Sequence, residues 1–176
     1  MTISAAASIR SLGAEGPVID DSAFVAEGAR IIGDVHLAES SSAWCNAVLR
    51  GDVAPIRIGR ASNLQDNVTV HVDADHPTIL GEYVSVGHNA VVHGCEIGDG
   101  TLIGMGSVVL SGARIGASCL IAGGAVVLEG TEIPPRSLVA GVPAKVRREL
   151  TDDEVARIRR NAERYVAHSR QHAASI

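Results

Sequence analysis

From Val25 onward an aliphatic residue returns at every sixth position. Val25, Ile31, Leu37, Ala43 and Leu49 open the first hexads, Ile58, Leu64 and Val70 the next, then Leu80, Val86 and Val92. Ile97, Ile103, Val109, Ile115, Ile121, Val127, Ile133 and Val139 follow without a break. The period slips by three residues around Asp52–Pro55, by four in VDADHPTI, and shortens by one before Ile97. A period this strict predicts a parallel β-helix. Each hexad supplies a short strand and a turn, three hexads close a triangular coil, and the openers stack inward one coil above another. Coils then repeat at the strand spacing of about 4.8 Å. A β-sandwich would instead need alternation of period two and regularly spaced hairpin turns.

Composition agrees with a narrow interior. Only Phe24, Trp44, Tyr83 and Tyr165 are aromatic, and small or β-branched residues supply the 46% hydrophobic content,. A net charge of −5 without a basic run gives no footprint for nucleic acid,. No apolar run approaches the roughly 20 residues that span a bilayer, and MTISAAASIR lacks the pattern of a secretory signal,. Cys45, Cys95 and Cys119 form no CxxC and no even framework, which fits a reducing cytoplasm,.

The period divides the chain into a lead-in over residues 1–17, loose or strand-like, a β-helix over 18–146, and a C-terminal helix and tail over 147–176. TDDE is a capping box with Thr151 as N-cap and Glu154 three residues on,. Val155, Ile158, Ala162, Tyr165 and Val166 then repeat at helical spacing, predicting one amphipathic helix over 152–171 that packs on the β-helix or a neighbour,.

Counted modulo three, with the two slips taken as loops at turns, Leu49, Val70 and Val92 share a face on successive coils. Arg50, His71 and His93 each follow one of those openers and stack in a column, close enough for the two imidazoles to share a metal ion. His88 follows Val86, on the adjacent face, above Gln65 and Asp66. It points away from the pair on its own chain. Two ligands on one face and a third on the next suggest a site shared between subunits, and triangular prisms in a heterologous ring close at three. Three histidines plus an open position suit a catalytic zinc or a related metal. Cys95 reads as a small hydrophobe rather than a ligand. His36, His168 and His172 lie outside the register and read as surface residues.

The segments NAVLRGD (46–52), SNLQDN (62–67), VTVHV (68–72), VGHNAVVHGC (86–95) and IGMGS (103–107) resemble the gamma-class carbonic anhydrases. Relatives of that class are named for ferripyochelin binding and for the phenylacetate and carnitine pathways. The resemblance extends over residues 18–170. It implies an all-β solenoid, a left-handed parallel β-helix of hexapeptide repeats with a C-terminal α-helix, although parallel crossovers are normally right-handed. It implies a homotrimer with His71, His88 and His93 on Zn2+, or alternatively Fe2+ or Co2+. It also implies that Arg50 and Asp52 pair across the interface, that Asn63 and Gln65 line the pocket, and that Asp66 supports the neighbouring groups. The reaction implied is reversible hydration of CO2 to bicarbonate by metal-bound hydroxide.

This chain departs from the family's archaeal prototype in its acidic residues. Val53 stands just after the RxD motif where the prototype has a glutamate. The loop that carries a glutamate proton shuttle there is here only VDADHPTI. Asp73, Asp75 and His76 are the nearest groups able to move a proton, followed by Asn161 and Tyr165. Two other functions compete: hexapeptide acyltransferase or thioesterase chemistry, which typically uses one histidine and no metal cluster, and a binding or scaffold role of the siderophore type.

Overall fold

The computed structural model describes residues 2–175. The chain is a parallel β-solenoid with one long helix at its C-terminal end. On the first face, Thr2–Ile3, Phe24–Val25, Ser42–Ala43, Asn63–Leu64, Ser85–Val86, Leu102–Ile103, Leu120–Ile121 and Ser137–Ala140 pair in that order, all parallel. On the second face, Thr69–His71 pairs with Val91–His93, which pairs with Val108–Val109 and so to Val126–Val127. Thr78–Leu80, Glu96–Ile97, Arg114–Ile115 and Glu132–Ile133 form the third.

The hexad openers are the core. Leu49, Val70 and Val92 are fully buried on the second face, and Leu64 and Val86 on the first. Each such side chain contributes about 1.5–3 kcal/mol on burial. Left-handed backbone residues turn the coils at the corners. Asn46, Asn67 and Asn89 share one corner at φ near 60° with Gly106 and Gly124. Asparagine tolerates that conformation better than other residues with a side chain.

The three surplus residues after Leu49 do not form a loop at a turn. Arg30–Leu37 and Val48–Ile58 are continuous strands that run round the corner from the second face to the third, and their pairing steps from Gly33–Gly51 to Val35–Ile56. The surplus is a bulge within Val48–Ile58 that carries Asp52 and the exposed Val53 outward,. A Cβ on Gly33 would meet the Gly51 carbonyl oxygen, so the bulge needs the backbones closer than a side chain allows,. The second insertion is a tight loop closed by an antiparallel bridge between Asp73 and His76.

Pairing also redraws the expected boundaries. The lead-in belongs to the solenoid, because Thr2–Ile3 and Ser8–Arg10 already pair in parallel with Phe24–Val25 and Arg30–Ile32. At the other end the division at residue 146 falls inside a strand, Lys145–Glu149. It turns back antiparallel on Ser137–Ala140 and satisfies the last open edge of the first face,.

The helix, α1, spans Asp152–Ala173 and starts at the Thr151–Glu154 capping box. It lies on the first face, where the Trp44 ring meets Phe24 at 5.4 Å, Tyr165 at 5.5 Å and His172 at 5.0 Å between centroids. His172 is thus solvent-exposed but seated on the aromatic cluster, unlike the plain surface residue expected from its register. Among the described residues no helix is long and apolar enough to cross a membrane.

Candidate metal centre

Strand pairing sets His71 directly opposite His93. Their ring centroids are 4.9 Å apart, and His71 Nδ1 lies 3.0 Å from His93 Nε2. Two nitrogen ligands on a tetrahedral ion, with bonds near 2.0–2.1 Å, stand about 3.3 Å apart. The pair therefore fits a metal ion after a shift of a few tenths of an ångström.

The bulge explains how Asp52 reaches this pair. Asp52 Oδ1 lies 2.9 Å from His71 Nε2, while Arg50 Nη1 donates to Oδ2 of the same carboxylate. Burial pushes the Asp52 carboxyl up, but its bonds to His71, its own backbone and Arg50 outweigh that and hold it below the usual carboxylate value. Within one chain, then, Arg50 and Asp52 are partners.

His88 stands on the corner between the first and second faces, stacked on Asp66 through the bond from the Asn89 amide to the Asp66 carbonyl. Its Nδ1 is 2.8 Å from Asp66 Oδ2, and the Cys45 amide donates to the other carboxylate oxygen at 3.2 Å. His88 does not join the other two histidines. Among the described residues no group of three or more His, Cys, Asp or Glu side chains is arranged within one chain so that it could hold a metal ion.

Beside His88 opens a cavity of about 450 Å3, lined in part by Gln65, Met105, Asn161 and Tyr165. Gln65 Nε2 donates to Asn63 Oδ1 at 3.2 Å, and Asn63 Nδ2 donates to Ser85 Oγ at 2.9 Å. Asn161 Nδ2 of α1 donates to the same hydroxyl at 3.2 Å. Burial, and then the Asp66 charge, raise the Tyr165 phenol above its ordinary value. A separate groove runs along Ile79, Glu96, Arg114 and Glu132 on the third face and contains none of the three histidines.

Cys95 faces the core, 1% exposed, and its thiol is pushed up to about 12 by burial. It packs inside the coil while His93 projects outside it. Asp73 takes a hydrogen bond from Ser111 that holds its carboxyl low, while Asp75 and His76 are exposed. Ser85 and Ser111 carry no signal in the motifs. Ser85 was nonetheless legible by register, since it precedes its opener by one residue as Asn63 does one coil earlier.

A parallel β-solenoid with a histidine pair on one face and a third histidine on the next corner defines the class: a hexapeptide-repeat protein. The family described as "Bacterial transferase hexapeptide (six repeats)" matches residues 94–129. A Methanocaldococcus jannaschii protein provisionally named a carbonic anhydrase is 56% identical over 142 residues, covering 81% of this chain and 89% of its own. Gamma carbonic anhydrase 1, mitochondrial, of Arabidopsis thaliana is 41% identical over 166 residues, 91% of this chain. This chain spans 60% of the length of that plant relative. A solved Bacillus cereus structure, provisionally named an acetyltransferase, superposes with a TM-score of 0.96 at 41% identity over 98% of this chain and 100% of its own. The chain belongs to the gamma-class carbonic anhydrase family.

Proposed function

We propose that this protein catalyses the reversible hydration of carbon dioxide to bicarbonate, in the cytoplasm, at a metal centre shared between subunits of a homotrimer. The observation that carries the reading is the His71–His93 pair, 3.0 Å apart on one face. His71 and His93 of one subunit and His88 of the next would hold the ion, with Zn2+ expected and Fe2+ or Co2+ able to use the same imidazoles. These imidazoles would hold a divalent ion whose chemistry would be to lower the pKa of a water molecule toward 7, making a nucleophile available at neutral pH.

The chain's own residues do the rest. Asp52 fixes the His71 ring through Nε2, and Asp66 fixes His88 through Nδ1, which leaves Nε2 of His88 for the ion,. Gln65 gives one amide hydrogen to Asn63, which fixes its amide plane and leaves the second N–H and the carbonyl oxygen to orient water or bicarbonate,. Asn63 is fixed in turn by Ser85. The exposed Arg50 keeps Asp52 ionised and extends to the adjoining subunit. The loop over residues 72–79 supplies no glutamate to export the proton, so a small buffer takes it,.

Stopped-flow hydration on zinc-loaded protein tests this. Turnover should rise with the concentration of an imidazole buffer, vanish on chelation, and vanish in His71→Ala. Protein shown to contain zinc that hydrates carbon dioxide no faster than buffer alone would leave the binding or scaffold role standing. Acyl transfer is the second reading, motivated by the name of the Bacillus cereus relative. Turnover of an acyl-CoA by metal-free protein would establish it.

A further inference from the structure

Two of the three histidines have a carboxylate directly behind them. Asp52 lies 2.9 Å from His71 Nε2, and Asp66 lies 2.8 Å from His88 Nδ1. His93 differs, because its nearest carboxylate oxygen, Asp73 Oδ2, is 3.7 Å from Nδ1 and out of hydrogen-bond range,. Ser111 fills the gap. Its Oγ is 3.0 Å from His93 Nδ1 and 2.5 Å from Asp73 Oδ2.

The donor count fixes the direction of this chain. A serine hydroxyl has one hydrogen and a carboxylate has none to give. The Ser111 hydrogen therefore goes to Asp73, and the oxygen meets His93 with lone pairs only. Nδ1 of His93 must donate. The neutral ring then carries its hydrogen on Nδ1 and keeps a bare lone pair on Nε2, the atom that faces His71 at 3.0 Å.

We propose that Ser111, itself oriented by Asp73, is the positioning residue that sets the tautomer and ring plane of His93 for metal binding. The inference rests on the reading of His71 and His93 as ligands.

The fold makes room for the arrangement. Asp73 sits in the insertion that interrupts the hexads, and that loop lies down across the next coils to reach Ser111. A Cβ on Gly94 would come within 3.0 Å of both the His76 Cβ and Ser111 Oγ. A residue other than glycine there would push the loop, and Asp73 with it, off the hydroxyl.

Two measurements on the full-length protein test the proposal. Long-range proton–nitrogen correlation spectra of metal-free protein report which ring nitrogen of His93 carries hydrogen. Competition against a fluorescent chelator reports zinc affinity. Wild type should show hydrogen on Nδ1. Ser111→Ala should lose that preference and bind zinc about 10- to 100-fold more weakly, the usual effect of losing a partner behind a ligand. Ser111→Thr, which keeps the hydroxyl, should restore both. Asp73→Asn, which keeps the loop's size, should weaken zinc in the same direction. Matched melting curves separate these losses from misfolding, and Asp73→Asn carries the test if Ser111→Ala does not fold.

The proposal is overturned if Ser111→Ala leaves both the His93 tautomer and the zinc affinity unchanged. If wild type binds no zinc yet Ser111→Ala shifts the tautomer, the positioning role stands and the metal reading fails.

Discussion

Asp66 Oδ2 lies 2.8 Å from His88 Nδ1, across one step of the coil stack at a single corner of the solenoid. Successive coils put both side chains just ahead of a left-handed asparagine, Asn67 and Asn89, so a backbone repeat builds the contact. The carboxylate anchors the ring, and in the proposed metal centre it would be the partner that orients the ligand,.

Replacing Asp66 with Asn should therefore weaken zinc binding about 10- to 100-fold while leaving the fold intact. Titration of zinc into metal-free variant protein measures the change. Affinity equal to wild type would mean that Asp66 has no role behind the ligand. Because Asp66 also accepts from the Cys45 amide, a melting curve belongs beside the titration.

Cysteine reactivity gives a test that needs no metal. The Cys95 thiol, pushed up to about 12 and 1% exposed, has almost no thiolate at pH 8 and no access to reagent,. Iodoacetamide should leave Cys95 and Cys119 unmodified in the native protein and label Cys45 first, the one partly exposed thiol. Burial and the neighbouring Asp66 raise the Cys45 thiol as well, so its labelling should be slow. Peptide mass spectrometry reads all three sites. Rapid native labelling of Cys95 would place it on the histidine side of the coil.

The acid limb of stability should involve the helix start. Glu154 is lowered from 4.5 to about 2, first by its hydrogen bonds with Arg148 and then by the Thr151 amide of the capping box. A depressed carboxyl contributes stability that is fully present above about pH 4.5 and is lost as pH falls toward 2,. Trp44 fluorescence, which senses the docked Tyr165 and His172, should report loosening of α1 across that window. Glu154→Gln should flatten that part of the titration. An unaltered profile in the variant would assign the acid transition to other carboxyls.

How far the sequence reached depended on how each feature is encoded. The columns of openers were legible because a hexad repeat has one way to bury Leu49, Val70 and Val92 together. The opposition of His71 and His93 followed from the same count. The bulge at Asp52 was not legible, because three surplus residues fit a turn loop as well as a kinked strand. Only the close backbone approach of Gly33 and Gly51 decides between them. The pairing of residues 2–10 was hidden for a related reason, since Ile3 and Ile9 lie before the regular run begins. Ser111 was hidden by its chemistry. A small polar residue two places after its opener looks like turn filling, and its partner Asp73 lies 38 residues away in the chain.

Subunit mixing tests the shared centre itself. His71 and His93 stand together while His88 faces elsewhere, so a His88→Ala chain keeps the paired half and a His93→Ala chain keeps the single-ligand half. Each variant alone should bind no catalytic metal and hydrate no carbon dioxide. Refolded together, every mixed trimer contains one junction with all three ligands, whichever chain is in the majority. About three-quarters of randomly assembled trimers are mixed, so roughly a quarter of all sites should regain zinc and activity in a closed threefold ring. His71→Ala mixed with His93→Ala is the control. Both lesions fall on the same side of every junction, so that mixture should recover nothing. Equal recovery in the two mixtures would break the assignment of His71 and His93 to one subunit. No recovery in either would mean that the ion is not bound between subunits.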